Sequence, residues 1–585
     1  MPKNHWKSWC TVRIISPSAA FRRYLNPPRP ATVRSMTNGR FKPPAAALWT
    51  VVSLAALAML LWLASDRAQG LLINSAMLIA AVLAVSLPLG VALALAIAKT
   101  SLRSGPLLEG LLIGLLFVPL YVQAAAWQAA LGSGGWLLPT TAAPWLTGWW
   151  GAVWVHAMAA TPWVALLVST ALKTVPREAE EEALQDAGPL KVLLRVSLRR
   201  AGSGILAAVL WVVMICANEI TVTDLYQVRT FAEEVYTETS LGLLGGLGES
   251  AVANDGSWLT VSDLWLGTFA ISMLICALLA ATRSRLFAAD VVSPAQRWTW
   301  SLGRGRMPIG VAIWLLVIVL IGIPVVSLFG KAGMLVQQVD ATTSRVWSFE
   351  KASAMVAGSL WEHRREWGWS LAIGTAAATL AATLGLLLAW AMRTRVLPTT
   401  GLLAILAIGF AVPGPLVGCW IIGLLNHPSD SPLALLSWCY DHTLLAPVMA
   451  QTLRALPLTT VFLWSQLVTL PQDVLDSATS EGASWWRRLA VIVLPLRWPA
   501  LLAALYLALA TAVGELAATL LVVPPGVSTL SIRIFGLLHY GAEDQVSSLC
   551  LALALAIGLG MTLVMQILRT ISRRTALRAQ QGPMR

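Results

Sequence analysis

The sequence predicts an all-α polytopic membrane protein of about twelve transmembrane helices, arranged as two homologous six-helix halves. Three observations carry that reading. Of the 585 residues, 57% are hydrophobic and 12% charged, whereas soluble domains carry about 25% charged residues. Apolar runs of the ~20 residues that a bilayer crossing needs recur along almost the whole chain. Basic residues gather in alternate loops, the pattern left when Lys and Arg are retained on the cytoplasmic side. The mean hydropathy is +0.72. The net charge of +13 follows from those loops and calls for no nucleic-acid partner; the lipid bilayer is the implied surroundings.

Residues 1–45 hold Lys3, Lys7, Arg13, Arg22, Arg23, Arg29, Arg34, Arg40 and Lys42 with no acidic residue. Pro27, Pro28, Pro30, Pro43 and Pro44 oppose a fold there, so the segment is read as a basic cytoplasmic tail, with Met36 as an alternative start. Spans are expected near 46–64, 71–98, 107–131, 148–172, 203–223 and 260–281, then near 308–329, 368–391, 401–425, 443–467, 497–522 and 546–568. With the tail inside, the inner loops collect Lys99 and Arg103, then Lys173 to Arg200, then Arg283 to Arg306, and later Arg393, Arg395, Arg487, Arg488 and Arg569 to Arg578. The outer segments 132–147, 426–442 and 524–545 hold one basic residue, Arg533. Both termini are therefore expected in the cytoplasm of a bacterial inner-membrane protein. Two outer segments stand apart. Residues 224–259 are acidic, and 330–367 is mixed in charge and tryptophan-rich, as in an amphipathic stretch along the bilayer surface.

The halves repeat. Arg199 and Pro495 are each followed twenty residues later by a glutamate, Glu219 and Glu515, and both pairs are 296 residues apart (495 − 199, 515 − 219). Equivalent cytoplasmic loops precede them, which marks an internal duplication. The expected division is the tail 1–45, a first domain 46–290 with its loop at 175–200, a linker 291–307, a second domain 308–570 with its loop at 470–496, and a tail 571–585.

The second loop, LPQDVLDSATSEGASWWRRLAVIVLPLRWPA, resembles the EAA motif of ABC importer permeases, EAA-x3-G-x9-I-x-L-P. Asp476, Ser477 and Ala478 stand for EAA, Gly482 for the glycine, and Ile492, Leu494 and Pro495 for the tail. The first loop departs further: Glu181 or Glu182, Ala183, Gly188 and Leu198 match with spacing at least one residue short, and Arg199 replaces the proline. The resemblance implies the type I importer permease fold, with each loop forming a short helix that docks on a cytoplasmic ABC ATPase dimer. It also implies a periplasmic substrate-binding protein as outer partner. An acidic first turn suits the helix dipole, and small residues keep one face narrow. No GxxxxGK[ST] phosphate loop occurs, so ATP would be used by the partner subunit, with no cofactor bound by this chain and no enzymatic activity of its own.

Among such permeases the chain resembles the ferric-iron type, through GELAATLLVVPPGVSTLSIRIF (514–535), NEITVTDLYQVRTFAEEVY (218–236) and PLYVQAAAW (119–127). Thiamine, polyamine and inorganic-anion importers are the alternatives within transport; a secondary transporter and a membrane enzyme are those outside it. Glu219 and Glu515 are candidates for the translocation path, because a carboxylate in a span is costly and Fe³⁺ prefers oxygen ligands. A helix-end role is an equal alternative, since each lies near the outer face. No metal site is assigned. The six cysteines form no CxxC pair, and His156 is read as a packed polar residue.

Overall fold

Two of the breaks in these apolar helices fall at prolines, Pro119 and Pro413. In the computed structural model the described residues are 59, 63–102, 104–139, 143–241, 263–273, 298–339, 342–428 and 430–580. The expected tail 1–45, most of the span near 46–64 and half of that near 260–281 lie outside them, as do the linker up to residue 297 and residues 581–585.

The first long helix, Asp66–Lys99, is capped by Ser65, whose hydroxyl accepts from the Ala68 N–H, and it ends on a lysine that suits its C-terminal dipole. At 34 residues it is roughly 50 Å long and outruns the hydrocarbon. Gly105–Leu116 and Leu120–Leu131 follow, bent by 103° at Pro119. Gly148–Leu172 packs along Asp66–Lys99. Two short helices, Arg177–Asp186 and Pro189–Arg200, lead into Gly202–Asn218, Thr221–Leu225 and Phe231–Ser240.

The same order returns later. Arg364–Arg393 packs along Leu445–Val468, and between them lie Thr399–Ala411 and Gly414–Leu425, bent by 98° at Pro413. Gln472–Ser480 leaves Leu445–Val468 at 79°, and Trp485–Gly514, Thr519–Val522, Leu530–Tyr540 and Glu543–Gln580 complete the chain. Both loops contain a five-residue π-helical turn, Leu193–Ser197 and Leu489–Val493, 296 residues apart (489 − 193).

Among the described residues six helices are long and apolar enough to cross a membrane, or ten if each bent pair is one span. Each arm of the pairs at Pro119 and Pro413 has 12 or 13 residues, about 18 Å, too short to cross alone. These ten coincide with expected spans. The segment 330–367 differs from expectation. Instead of a continuous amphipathic stretch it begins with the end of Arg306–Ala332 and an antiparallel hairpin, Met334–Val339 with Thr342–Trp347. The amphipathic helix Phe349–Glu362 comes only after that. Basic residues from this region clamp the outer ends together: Lys331 donates to the Gly134 carbonyl and pairs with Glu543, and Lys351 lies 3.0 Å from Asp544.

Candidate functional site

Four helix breaks meet at the centre. Pro119 and Pro413 remove a backbone donor and end the preceding arm, so new helix N-termini start at Leu120 and Gly414. Glu219 and Glu515 sit just past Gly202–Asn218 and Trp485–Gly514 in extended conformation (φ −83° and −76°). Each carboxylate turns forward to the short helix that follows. Glu219 accepts from the N–H groups of Thr221 (2.6 Å) and Val222 (3.0 Å). Glu515 accepts from Ala518 (2.7 Å), Thr519 (2.9 Å) and the Thr519 hydroxyl. The contacts are those of helix-capping carboxylates, satisfying donors that a broken span would leave bare in lipid.

Both glutamates also line one cavity of about 200 Å³, with Tyr121, Asn218, Arg454 and Thr511. It adjoins an apolar chamber of about 600 Å³ walled by Phe117, Trp163, Trp211, Phe410 and Tyr506. Trp211 stacks on Phe410, with ring centroids 5.2 Å apart, where the two spaces meet. His156 lies behind Glu219: its Nδ1 faces the Ala152 carbonyl at 2.8 Å, and its Nε2 is 3.3 Å from the carboxylate without hydrogen-bond geometry. Asn218 ties the first set of breaks to the second by accepting the Gly414 N–H at 2.9 Å. Glycine is required at 414, because a Cβ there would lie 2.4 Å from that of Ala517. Among the described residues no three His, Cys, Asp or Glu side chains group as metal ligands.

Arg454 escaped the sequence reading, which weighed carboxylates and histidine in the spans. It is 5% exposed, and its Nη1 donates to the carbonyls of Phe410 (3.1 Å) and Val412 (3.0 Å), the two residues freed by the Pro413 break. A lone arginine inside an apolar segment was the signal available.

The two loops are built differently. In the second, Asp476 and Ser477 are exposed, Ala478 is half-buried, and Leu475 anchors the helix inward. Gly482 takes φ +77°, the left-handed conformation that ends the helix, and Ser484 caps the next one. Ile492 and Leu494 are half-buried, and Pro495 opens the exit helix. In the first loop, Glu181 pairs with Arg177, Glu182 is exposed and Ala183 half-buried, while Gly188 has an ordinary φ of −65°. The neighbour of the expected acids is the buried one. Glu180 is fully enclosed, 2.8 Å from Lys99 and accepting from the Ser197 hydroxyl at 2.5 Å. Counted back from the π turns, Glu180 stands where the second loop has the exposed Asp476 (476 − 180 = 296). Sequence could have found it through the pairing of Lys99 with a helical face.

The acidic outer segment is also internal. Glu234 and Glu238 are each 1% exposed, and Arg67 and Arg229 both pair with Glu234. Glu249 and Asp255 lie outside the described residues. Further out, His539 joins chain segments 315 residues apart through Asp224, 3.0 Å from its Nε2, while its Nδ1 faces the Phe535 carbonyl. Two acceptors on one ring favour the imidazolium, and Asp224 above all raises the His539 pKa. A raised folded pKa makes this contact strongest below the unfolded value of about 6.5, and it fades as pH rises through the folded one. Both groups are partly exposed, so the effect is modest. The thermal midpoint of the purified chain should therefore fall more between pH 6 and pH 8.5 than that of Asp224→Asn; equal shifts would remove the contact from the pH response.

Broken spans around a central cavity define a polytopic helical protein of the transporter kind. Comparison places it further. Residues 381–577 match the family described as binding-protein-dependent transport system inner membrane component. A putative 2-aminoethylphosphonate transport system permease protein of Salmonella typhimurium is 30% identical over 243 residues, 41% of this chain and 86% of that protein. Its counterpart in Salmonella typhi is 32% identical over 173 residues, 29% of this chain and 63% of that one. A putative molybdenum transport system permease protein of Bacillus subtilis is 29% identical over 160 residues, 26% of this chain and 70% of its own. The chain belongs to the family of binding-protein-dependent transport inner-membrane components, the permeases of ABC importers.

Proposed function

We propose that this single chain supplies both permease halves of an ATP-driven, binding-protein-dependent importer. The observation that carries the reading is that one cavity is lined by Leu120 just after the Pro119 break, Phe410 just before the Pro413 break, and Glu219 and Glu515 at the other two breaks. The Salmonella typhimurium relative supports it, since 86% of that permease is matched within 41% of this chain, which is thus about twice as long. Two domains, 46–290 and 308–570, then enclose the path, both termini lie in the cytoplasm, and an ATPase dimer engages the loops 175–200 and 470–496. A periplasmic binding protein delivers solute to the outer face. The chain itself binds no cofactor, and ATP is used by the partner.

The solute class favoured is a small phosphonate or inorganic oxyanion, in keeping with the names of the relatives. Ferric iron, which the motif resemblance favoured, lacks comparable support. The carboxylates expected to hold it already accept backbone N–H groups, and an arginine shares their cavity. The complete path in one chain is tested by stoichiometry. Native mass spectrometry of the complex purified with its ATPase should give one copy of this chain to two ATPase subunits; two copies of this chain to two ATPases would overturn the reading.

A further inference from the structure

The cavity between the breaks holds one guanidinium and two carboxylates, and the carboxylates are already turned to helix N–H groups while several donors are not spent. Its four carboxylate oxygens are engaged: those of Glu219 by the N–H groups of Thr221 and Val222, and those of Glu515 by Ala518 and Thr519. Donors remain. Tyr121 is 2% exposed and lines the cavity, and its hydroxyl has no partner among the described residues. Arg454 hydrogen-bonds through Nη1 and lies over the Phe410 ring, its Cζ 5.3 Å from the centroid, while its Nη2 and Nε hydrogen-bond to no described residue. Asn218 spends its Oδ1 on the Gly414 N–H, which leaves its amide N–H₂ without a described acceptor. A buried unpaired donor such as the Tyr121 hydroxyl is costly, and a ligand rich in acceptors relieves that cost. A guanidinium fork beside a hydroxyl and an amide matches a tetrahedral oxyanion, and about 200 Å³ leaves room for the anion with water around it.

We infer that this cavity is an oxyanion station on the path, where Arg454, Tyr121 and Asn218 donate to a phosphonate or similar tetrahedral anion. The inference rests on the permease reading above and names the residues of this chain that select the solute. The apolar chamber beyond it has a buried ring N–H at Trp211 without a described partner but is lined by no Lys or Arg among the described residues, so the anion is held at the breaks beside Arg454 and passes the Trp211–Phe410 stack on release.

The test uses the full chain, freed of its own cysteines, with its ATPase in nanodiscs and Thr511→Cys as a reporter on the cavity wall. The reporter is labelled with an anionic and a cationic methanethiosulfonate. The anion-to-cation rate ratio is compared with that at Tyr540→Cys, a surface position 88% exposed. The ratio at 511 should exceed the surface ratio by about tenfold, and millimolar methylphosphonate should slow anionic labelling. Arg454→Gln should erase the excess and Arg454→Lys should keep it. Tyr121→Phe, which removes one hydroxyl only, should weaken methylphosphonate protection without altering yield. Should Arg454→Gln fail to fold, the ratio in the unsubstituted background and the Tyr121→Phe result still decide. A ratio at 511 equal to or below the surface value would overturn the station. ATP hydrolysis by the same complex reports on the permease reading separately, so the two failures are distinguishable.

Discussion

Replacing Glu515 with alanine is expected to cost most of the folded protein. The side chain satisfies two backbone N–H groups and one hydroxyl at a break inside the bundle, and it is only 9% exposed. Hydrogen bonds to a charged acceptor contribute about 1.5–3 kcal/mol each, and donors left bare in a membrane interior have no water to turn to. A loss of about 3 kcal/mol or more follows, comparable to a large part of a domain's stability. Gln keeps one acceptor but turns an amide N–H₂ toward other donors, so Glu515→Gln should fall between. The corresponding Glu219 variants should be milder, because this carboxylate serves two N–H groups and His156 stands beside it. Thermal scans and monodisperse yield in detergent check the ranking. Since each carboxylate caps its own break, the stability losses should add. An alanine variant at 515 with unchanged thermal midpoint would show that the break is held by other means.

How far the sequence could be read depended on what each residue's period exposes. Long apolar runs with alternating basic loops locate helices such as Asp66–Lys99 and Arg364–Arg393, because hydropathy alone decides them. The breaks were less legible. Pro119 and Pro413 stand inside runs that read as single spans, and interior prolines elsewhere, at Pro88 and Pro162, leave their helices continuous. Only packing separates the two outcomes. The hairpin 334–347 hid because its six-residue strands lack the length to stand out among charged and aromatic neighbours. The 296-residue offset pointed to Glu219 and Glu515 as equivalent, and they do line one cavity. Their capping bonds depend on where the chain turns, which no spacing reveals. Arg454 and Glu180 were missed for opposite reasons, one lying outside the residue types weighed and the other standing beside two acids that fit the motif better.

The second large effect is expected at Gly482, and it bears on the central claim that an ATPase drives this chain through its second loop. Gly482 adopts φ +77°, and apart from Gly482 and its chain neighbours no atom of the described residues lies within 4 Å of where a Cβ would be. Aspartate tolerates the left-handed conformation better than most residues, so Gly482→Asp costs the chain about 1 kcal/mol and no steric clash. What it changes is the surface beside the exposed Asp476 and Ser477, to which it adds charge and bulk. The variant should therefore insert and fold while uptake falls by at least about tenfold, a loss of about 1.4 kcal/mol of docking energy or more. Gly188→Asp, at a backbone any residue adopts, in a loop whose acid is locked to Lys99, should be milder. The decisive measurement is solute-stimulated ATP hydrolysis by the reconstituted complex, read with copurification of the ATPase. The account predicts that Gly482→Asp loses both while the chain stays folded in the membrane. Full hydrolysis and uptake in that variant, or uptake that persists without the ATPase on an ion gradient, would contradict it.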